Sequence, residues 1–260
     1  MNIHESAVVS PQAKLADDVI VGPFSVIEGD VTIGSGSRID SHVCIGSPFG
    51  KVTIGRNNHI LPGAVLGGPP QDLKYDGEKT ELILGDNNVI REFVTLNLGT
   101  AQGGGVTRIG DHNLLMAYVH IAHDCELGDH IVIANTTQFA GHVKVEDHVK
   151  IGGLCGITQF CRLGKYCYIG GDSSVNKDVL PFTIAQGNWA TMRATNKVGL
   201  ERAGFSKDDI AAIHKCIRMV LKGAGTIEEI MAELKAQSHL PESVQYLLDF
   251  MHSSKRGLAR

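Results

Sequence analysis

Aliphatic residues recur every six positions through most of this chain, and that spacing leaves few folds open. A first run reads Val9, Leu15, Val21, Ile27, Ile33, Ile39 and Ile45. After a slip of three residues it resumes at Ile54, Ile60 and Leu66, and again at Leu84, Ile90 and Leu96. The longest run is Ile109, Leu115, Ile121, Leu127, Ile133, Phe139, Val145, Ile151, Ile157, Leu163, Ile169 and Val175. With 43% of the chain hydrophobic, twelve successive hits from one frame have a chance probability on the order of one in ten thousand or less. A period of six matches neither a helix nor a single strand. It is the period of the hexapeptide parallel β-helix, in which each hexad gives one short strand and its turn and three hexads close a triangular coil. The aliphatic side chain points inward and stacks on its equivalent eighteen residues later. The expectation is an all-β, left-handed prism over residues 1–191.

Composition agrees. The 31 glycines and the 5% aromatic share suit corners that need positive φ around a narrow aliphatic interior. Polar Met1–Ser6 resembles no leader, and no apolar stretch is long enough to span a membrane. The six cysteines lack CxxC spacing. Cys155, Cys161 and Cys167 follow the hexad register onto successive faces, which suits reduced structural thiols of a cytoplasmic protein better than one metal. Residues 192–260 hold 11 Lys+Arg against 8 Asp+Glu, a net of +3, and the remainder holds 13 against 20, a net of −7. That division argues against nucleic-acid binding and allows a small acidic partner.

The grid is broken twice in its middle. Between Leu66 and Leu84 the eighteen-residue spacing contains Gly68-Pro69-Pro70 and Asp76-Gly77, which predict a coil distorted outward. Between Leu96 and Ile109 the excess contains Gly99, Gly103, Gly104 and Gly105. Without a following Lys-Ser/Thr and a strand-to-helix context this is no phosphate cradle, and a mobile surface loop is expected. Beyond Pro181 the grid stops, and residues 192–260 read as a helical domain. Ser206 heads a helix with Asp208 and Asp209 in its first turn and Ile210, Ile213, Ile217 and Leu221 as its stripe up to Gly223. Thr226 and Glu229 form a capping box before Ile227, Ile230 and Leu234. Pro241 opens a third helix carrying Val244, Leu247, Leu248 and Met251. Such helices would cover the open end of the prism. A flat face left bare is usually buried by trimer formation along the long axis.

Histidines supply the candidate chemistry. On an eighteen-residue coil, His123 stacks beneath Gly141-His142 and then Gln159, with rungs ~4.8 Å apart. His120 lies nearby on the same coil, and Asp124 could orient the His123 ring. Three readings compete. Scattered surface histidines would not need this alignment. A zinc enzyme built on the same prism uses an H-x4-H pair, a spacing absent from residues 112–148. Acyl transfer needs only a neutral histidine to deprotonate an acceptor hydroxyl.

The sequence resembles the UDP-N-acetylglucosamine 3-O-acyltransferase family of lipid A biosynthesis over essentially its whole length. The resemblance is carried by Pro70-Gln-Asp-Leu-Lys-Tyr75, Asn113-Leu-Leu-Met116, His120-Ile-Ala-His-Asp-Cys125, Phe139-Ala-Gly-His142, Gln159-Phe160, Ile184-Ala-Gln-Gly-Asn188 and Arg256-Gly-Leu-Ala-Arg260. It implies that His123 is the general base, that Asp124 polarises it and that the Gly141 N–H stabilises the oxyanion. It further implies substrate contacts from Asp72, Lys74, His120, His142 and Gln159, and nucleotide contacts from Asn196 and Arg202. Gly171 would be the ruler of the acyl groove, although composition alone makes it a corner glycine. No cofactor and no metal are implied. The implied partners are a UDP-sugar, an acyl carrier protein bearing a 3-hydroxyacyl chain, and two further copies of the chain in a homotrimer. Thr158, Trp189, Val198 and Ala203 depart from residues common in the family. The sister N-acyltransferase carries an extra globular domain before its repeats, whereas here the grid begins by Val9. A noncatalytic scaffold prism would not require the histidine alignment. Lys215, Arg218 and Lys222 share one helix face, which is either a solvated face or a dock for the acidic carrier.

Overall fold

The computed structural model describes residues 2–222, 226–235 and 240–260, with the backbone alone for 234 and 235. Gly223 and the Leu234 side chain, both assigned helical roles above, lie outside the described residues.

Three parallel sheets run the length of a left-handed β-helix, each taking every third strand. The first face begins at Asn2–Ile3, the second at Val8–Val9 and the third at Lys14–Leu15. In the regular half the pairing is eighteen residues deep, as in Ile133 with Ile151 and Leu127 with Val145. Every grid residue except Val9 and Leu15, in the terminal coil, is buried at 3% exposure or less. Two-residue strands cannot hold themselves in water. The column of inward aliphatics holds them, each large buried side chain contributing roughly 1.5–3 kcal/mol.

The insertions fall between strands and leave the column intact. Leu84 pairs with Ile54, thirty residues earlier, so the spacing from Leu66 to Leu84 is one hexad plus a twelve-residue excursion rather than one distorted coil. Ile109 in turn pairs with Leu84, twenty-five residues earlier, which places seven extra residues in the glycine-rich segment. Both excursions leave the prism between its second and third faces.

Glycine does not turn most corners. Among the described residues positive φ is taken by 17 that are not glycine, including Phe24, Phe93, Tyr118, Asp124 and His142. A non-glycine residue pays ~1–2 kcal/mol for this conformation, and stacking along the corner offsets it. His112, His130, His148 and Tyr166 lie ring on ring at 4.9, 4.8 and 4.5 Å, and Phe182 continues the column. Beside them runs an asparagine ladder. The Asn88 N–H donates to Asn58 Oδ1, the Asn113 N–H to Asn88 Oδ1, and Asn88 Nδ2 to Gly110 O, all at 2.9–3.0 Å.

The last strands form an antiparallel hairpin, Thr183–Gly187 with Ala190–Thr195, added to the first face. The 191/192 division expected from the sequence falls inside its second strand. Among the described residues four helices follow, α1 (Lys197–Arg202), α2 (Lys207–Lys222), α3 (Ile227–Lys235) and α4 (Glu242–Ser253). The short α1 carries no periodic signal and was not anticipated. On α2, Cys216 and Val220 complete the buried stripe while Leu221 is peripheral. The capping box forms, with Thr226 N–H donating to Glu229 and Glu229 N–H to Thr226. The helices close onto the last coil, where Tyr166 and Phe182 meet Phe205, and Arg162 lies 4.2 Å over the Phe250 ring while bonding Glu146. No described helix is long and apolar enough to cross a membrane.

The asparagine ladder gives the first expected outcome. Asn88→Ala would strand the buried Asn113 N–H and Gly110 carbonyl, so the protein should lose about 1–3 kcal/mol per orphaned group. Denaturant unfolding measures this, and Asn88→Ser should recover part of the loss.

Candidate active site

The second-to-third-face corner carries the candidate residues because the register stacks it coil upon coil. His120 opens one coil's second-face strand and pairs with Gln138. Three residues on, His123 and Asp124 turn the corner, with Asp124 at φ 59. One coil later Gly141 and His142 occupy the same place, and the His142 N–H donates to the His123 carbonyl at 3.0 Å. The rings of His123 and His142 meet edge to face at 5.1 Å, and His142 stacks on Phe160 at 4.6 Å.

His123 is more enclosed than a cleft surface residue, at 9% exposure, and Asp124 is buried behind it. Asp124 Oδ2 lies 2.7 Å from His123 Nδ1. The same carboxylate accepts the Thr100 N–H on Oδ1 at 2.8 Å and the Thr100 hydroxyl on Oδ2 at 2.7 Å. An ionised carboxylate only accepts, so His123 Nδ1 carries the donated proton, and in the neutral tautomer so fixed the lone pair is on Nε2. A Cβ on Gly141 would fall 2.5 Å from His123 Cε1 and 2.8 Å from Nε2. Only glycine therefore lets this backbone approach the imidazole. The Gly141 N–H makes no hydrogen bond among the described residues.

Burial holds the His120 pKa below the ordinary histidine value, with the His123 charge adding to the effect. Its Nδ1 lies 2.7 Å from the Thr95 hydroxyl. Burial also lowers His142, opposed in part by the Asp124 carboxylate. Both shifts favour the neutral ring. Cys125 is no rival nucleophile, because burial pushes its thiol up to about 12.

His123, Asp124 and His142 each offer one ligand atom within 4.8 Å of the others, as a metal site would. The Nδ1–Oδ2 distance of 2.7 Å is a hydrogen bond, shorter than the ~3.3 Å edge of a tetrahedral zinc shell. Asp124 also has both oxygens engaged. The trio fits a proton-relay cluster better than a zinc site.

A cleft of about 1370 Å³ opens over this corner, lined by Asp72, Lys74, His120, His123, Gly141, His142 and Gln159 together with Thr158, Phe160 and Trp189. The structure thus brings together seven of the residues singled out above, with Asp124 directly behind. Asn196, Arg202 and Gly171 stand elsewhere. Asn196 caps α1 through Oδ1 and donates to the Tyr166 carbonyl, and Arg202 is exposed at the end of α1. Gly171 sits on the corner between the first and second faces, against the Gly153 backbone one coil earlier. Lys215, Arg218 and Lys222 line a shallow groove on α2 with His214 and Met219. Sequence reasoning missed Thr100. Its segment reads as a loop, and only the fold shows that the loop returns to Asp124.

A parallel β-helix with a catalytic-type His–Asp pair in an open corner cleft defines a hexapeptide-repeat transferase. Residues 12–47 and 107–141 match the bacterial transferase hexapeptide model, and residues 178–259 match the second-domain model of UDP-N-acetylglucosamine O-acyltransferase. The acyl-[acyl-carrier-protein]–UDP-N-acetylglucosamine O-acyltransferase of Halorhodospira halophila is 50% identical over 258 residues, 99% of each chain. The enzyme of that name from Thiobacillus denitrificans is 46% identical over 258 residues, 99% of each chain. Among solved structures, the Moraxella catarrhalis UDP-N-acetylglucosamine O-acyltransferase superimposes with a TM-score of 0.94 at 42% identity over 100% of both chains. The Arabidopsis UDP-N-acetylglucosamine acyltransferase does so at 0.87 and 34%, covering 99% of this chain and 100% of its own. The chain belongs to the acyl-[acyl-carrier-protein]–UDP-N-acetylglucosamine O-acyltransferase family and is an acyltransferase.

Proposed function

We propose that this protein transfers a (3R)-3-hydroxyacyl chain from acyl carrier protein to the 3-hydroxyl of UDP-N-acetylglucosamine, the first step of lipid A biosynthesis. The His123–Asp124 hydrogen bond carries this reading, because it sets the ring orientation, with Nδ1 turned to the carboxylate and the ring lining a cleft of substrate size. Nε2 takes the proton of the sugar hydroxyl as its oxygen attacks the thioester carbonyl. Asp124 stabilises the imidazolium that forms. The Gly141 N–H, unbonded and next to the His123 ring, donates to the oxyanion. The tetrahedral intermediate collapses by breaking its C–S bond, and the imidazolium returns the proton to the carrier's thiol. The product is an ester, and no covalent enzyme intermediate is needed. Asp72, Lys74, His120, His142 and Gln159 bind the substrates in the cleft, with Asn196 and Arg202 contacting the nucleotide. An amine in place of the 3-hydroxyl would be acylated by the same geometry.

We propose a homotrimer as the working form. Outward positions on the third face include the charged Lys14, Arg108, Glu126 and Lys144. Those on the second face run Val8, Val26, Cys44, Val65 and Thr95 before reaching His120, Gln138, Gly156 and Ser174. Phe24, Phe93, Tyr118 and Leu154 stand 50–66% exposed along the adjoining corner. This apolar strip borders the cleft, so a second prism packed on it would supply the missing wall. The basic groove on α2 is a charge match for an acidic carrier protein.

His123→Ala tests the reading. Loss of a general base should lower kcat by ~10²–10⁴, while Asp124 stays anchored by Thr100 and the melting temperature changes little. A variant keeping more than a tenth of wild-type turnover would remove His123 from this role.

Gly171 is proposed as the acyl ruler. A Cβ there meets only the Gly153 backbone, at 3.4 and 3.8 Å, so a side chain fits without distorting the coil. Gly171→Met should shorten the preferred donor, since each groove methylene is worth roughly 0.8 kcal/mol. Equal loss of activity on all donor lengths would instead make Gly171 a backbone requirement.

A further inference from the structure

The glycine-rich segment after Leu98 is folded tightly against the buried carboxylate. Thr100 is 4% exposed. Its backbone N–H and its hydroxyl each donate to Asp124, one to each oxygen, at 2.8 and 2.7 Å. The hydroxyl in turn accepts the Gly103 N–H at 3.1 Å, and the Thr100 carbonyl accepts the N–H groups of Gly103 and Gly105 at 3.0 and 2.8 Å. That wraps Ala101–Gly103 into one short turn. Gly104 leaves the turn at φ 100 and Gly105 at φ 82, conformations that glycine adopts freely. Gly103 is required on different grounds. A Cβ there would fall 2.1 Å from the Asp124 carboxyl carbon and 2.3–2.4 Å from its oxygens. On the opposite side, Asp124's own N–H donates to the buried Thr107 hydroxyl at 2.8 Å. Asp124 is therefore held at its carboxylate by the inserted loop and at its backbone by the strand that follows.

We propose that Thr100 is a positioning residue for the reaction. It fixes the Asp124 carboxylate in the plane that holds the His123 proton on Nδ1, and the glycines after it exist to fold the loop onto Asp124. The inference rests on the base role proposed for His123. The two bonds from Thr100, one on each oxygen, set the plane of the carboxylate and leave Oδ2 facing the His123 ring. Without the hydroxyl, Asp124 keeps the backbone donor but loses the restraint on Oδ2, the oxygen that meets the imidazole. Glu78, at the end of the excursion carrying Asp72 and Lys74, accepts the Ala101 N–H at 3.2 Å. The clamp is thus tied to the substrate-facing loop as well.

The test uses Thr100→Val, which keeps shape and removes the hydroxyl, and Thr100→Ser, which restores it. Proton NMR of the full-length enzyme reads the His123 Nδ1–H directly, as a low-field resonance that His123→Ala abolishes. Thr100→Val should broaden or shift that resonance and lower kcat about 10- to 100-fold, the range for losing a hydrogen bond to a charged group. KM for the sugar nucleotide and the melting temperature should hold. Thr100→Ser should return the resonance and bring kcat to within about threefold of wild type, as expected where a hydroxyl bond is the working element. If Thr100→Val fails to fold, Gly103→Ala on the exposed turn should displace the carboxylate and give the same signature. An unchanged resonance with unchanged kcat in Thr100→Val overturns the proposal, as does a loss that serine does not rescue. A lost resonance with full kcat would uphold the clamp and refute the base role of His123 instead.

Discussion

Parallel pairing at a fixed pitch is the constraint on which the rest of this molecule depends. Each strand is only long enough to bond its neighbours one coil away, so the chain must return to the same height after every third hexad. Ile133 on Ile151 and Leu127 on Val145 are that requirement met in apolar side chains. Once the register is fixed, anything placed at a corner meets its equivalent one coil later. His123 meets Gly141 and His142 for the same reason that Ile121 meets Phe139. The chemistry is thus built from the geometry of the core, without a loop having to find its place.

The corners show how strain and function share one device. A left-handed backbone at His112, His130, His148 and Tyr166 is unfavourable residue by residue, yet it points their rings along one axis where they stack. At another corner the same conformation serves Asp124, bonded to the His123 ring, and His142, which lines the cleft. Insertions are confined to sites where they cost the column nothing. Both leave between the second and third faces, and both return over the histidine corner, one bringing Asp72 and Lys74 and the other Thr100.

Much of this was legible in the sequence because period and register are written locally. The grid named the inward column, and eighteen-residue arithmetic put His123 under Gly141-His142. Three features escaped for physical reasons. The distance from Leu66 to Leu84 imitates a coil, and only pairing of Leu84 with Ile54 shows the excursion. The corners were expected to need glycine, whereas stacking between coils lets aromatic and histidine residues take positive φ. The segment from Gly99 to Gly105 reads as a mobile loop because glycine marks freedom in a sequence, but here its missing side chains allow close contact with Asp124. Asn196, Arg202 and Gly171 came from family resemblance alone, and a single chain does not bring them to the cleft.

The account turns on ester formation at the His123 corner, and product mass spectrometry tests it most directly. The protein would be given a ladder of 3-hydroxyacyl carrier proteins with UDP-N-acetylglucosamine or its 3-amino analogue. The expected result is one alkali-labile monoacyl ester of UDP-N-acetylglucosamine, with a narrow preference for chain length and no product without the carrier. A product formed only as an amide of the amino sugar would contradict the proposed acceptor. No acylated nucleotide from any donor would contradict the account as a whole.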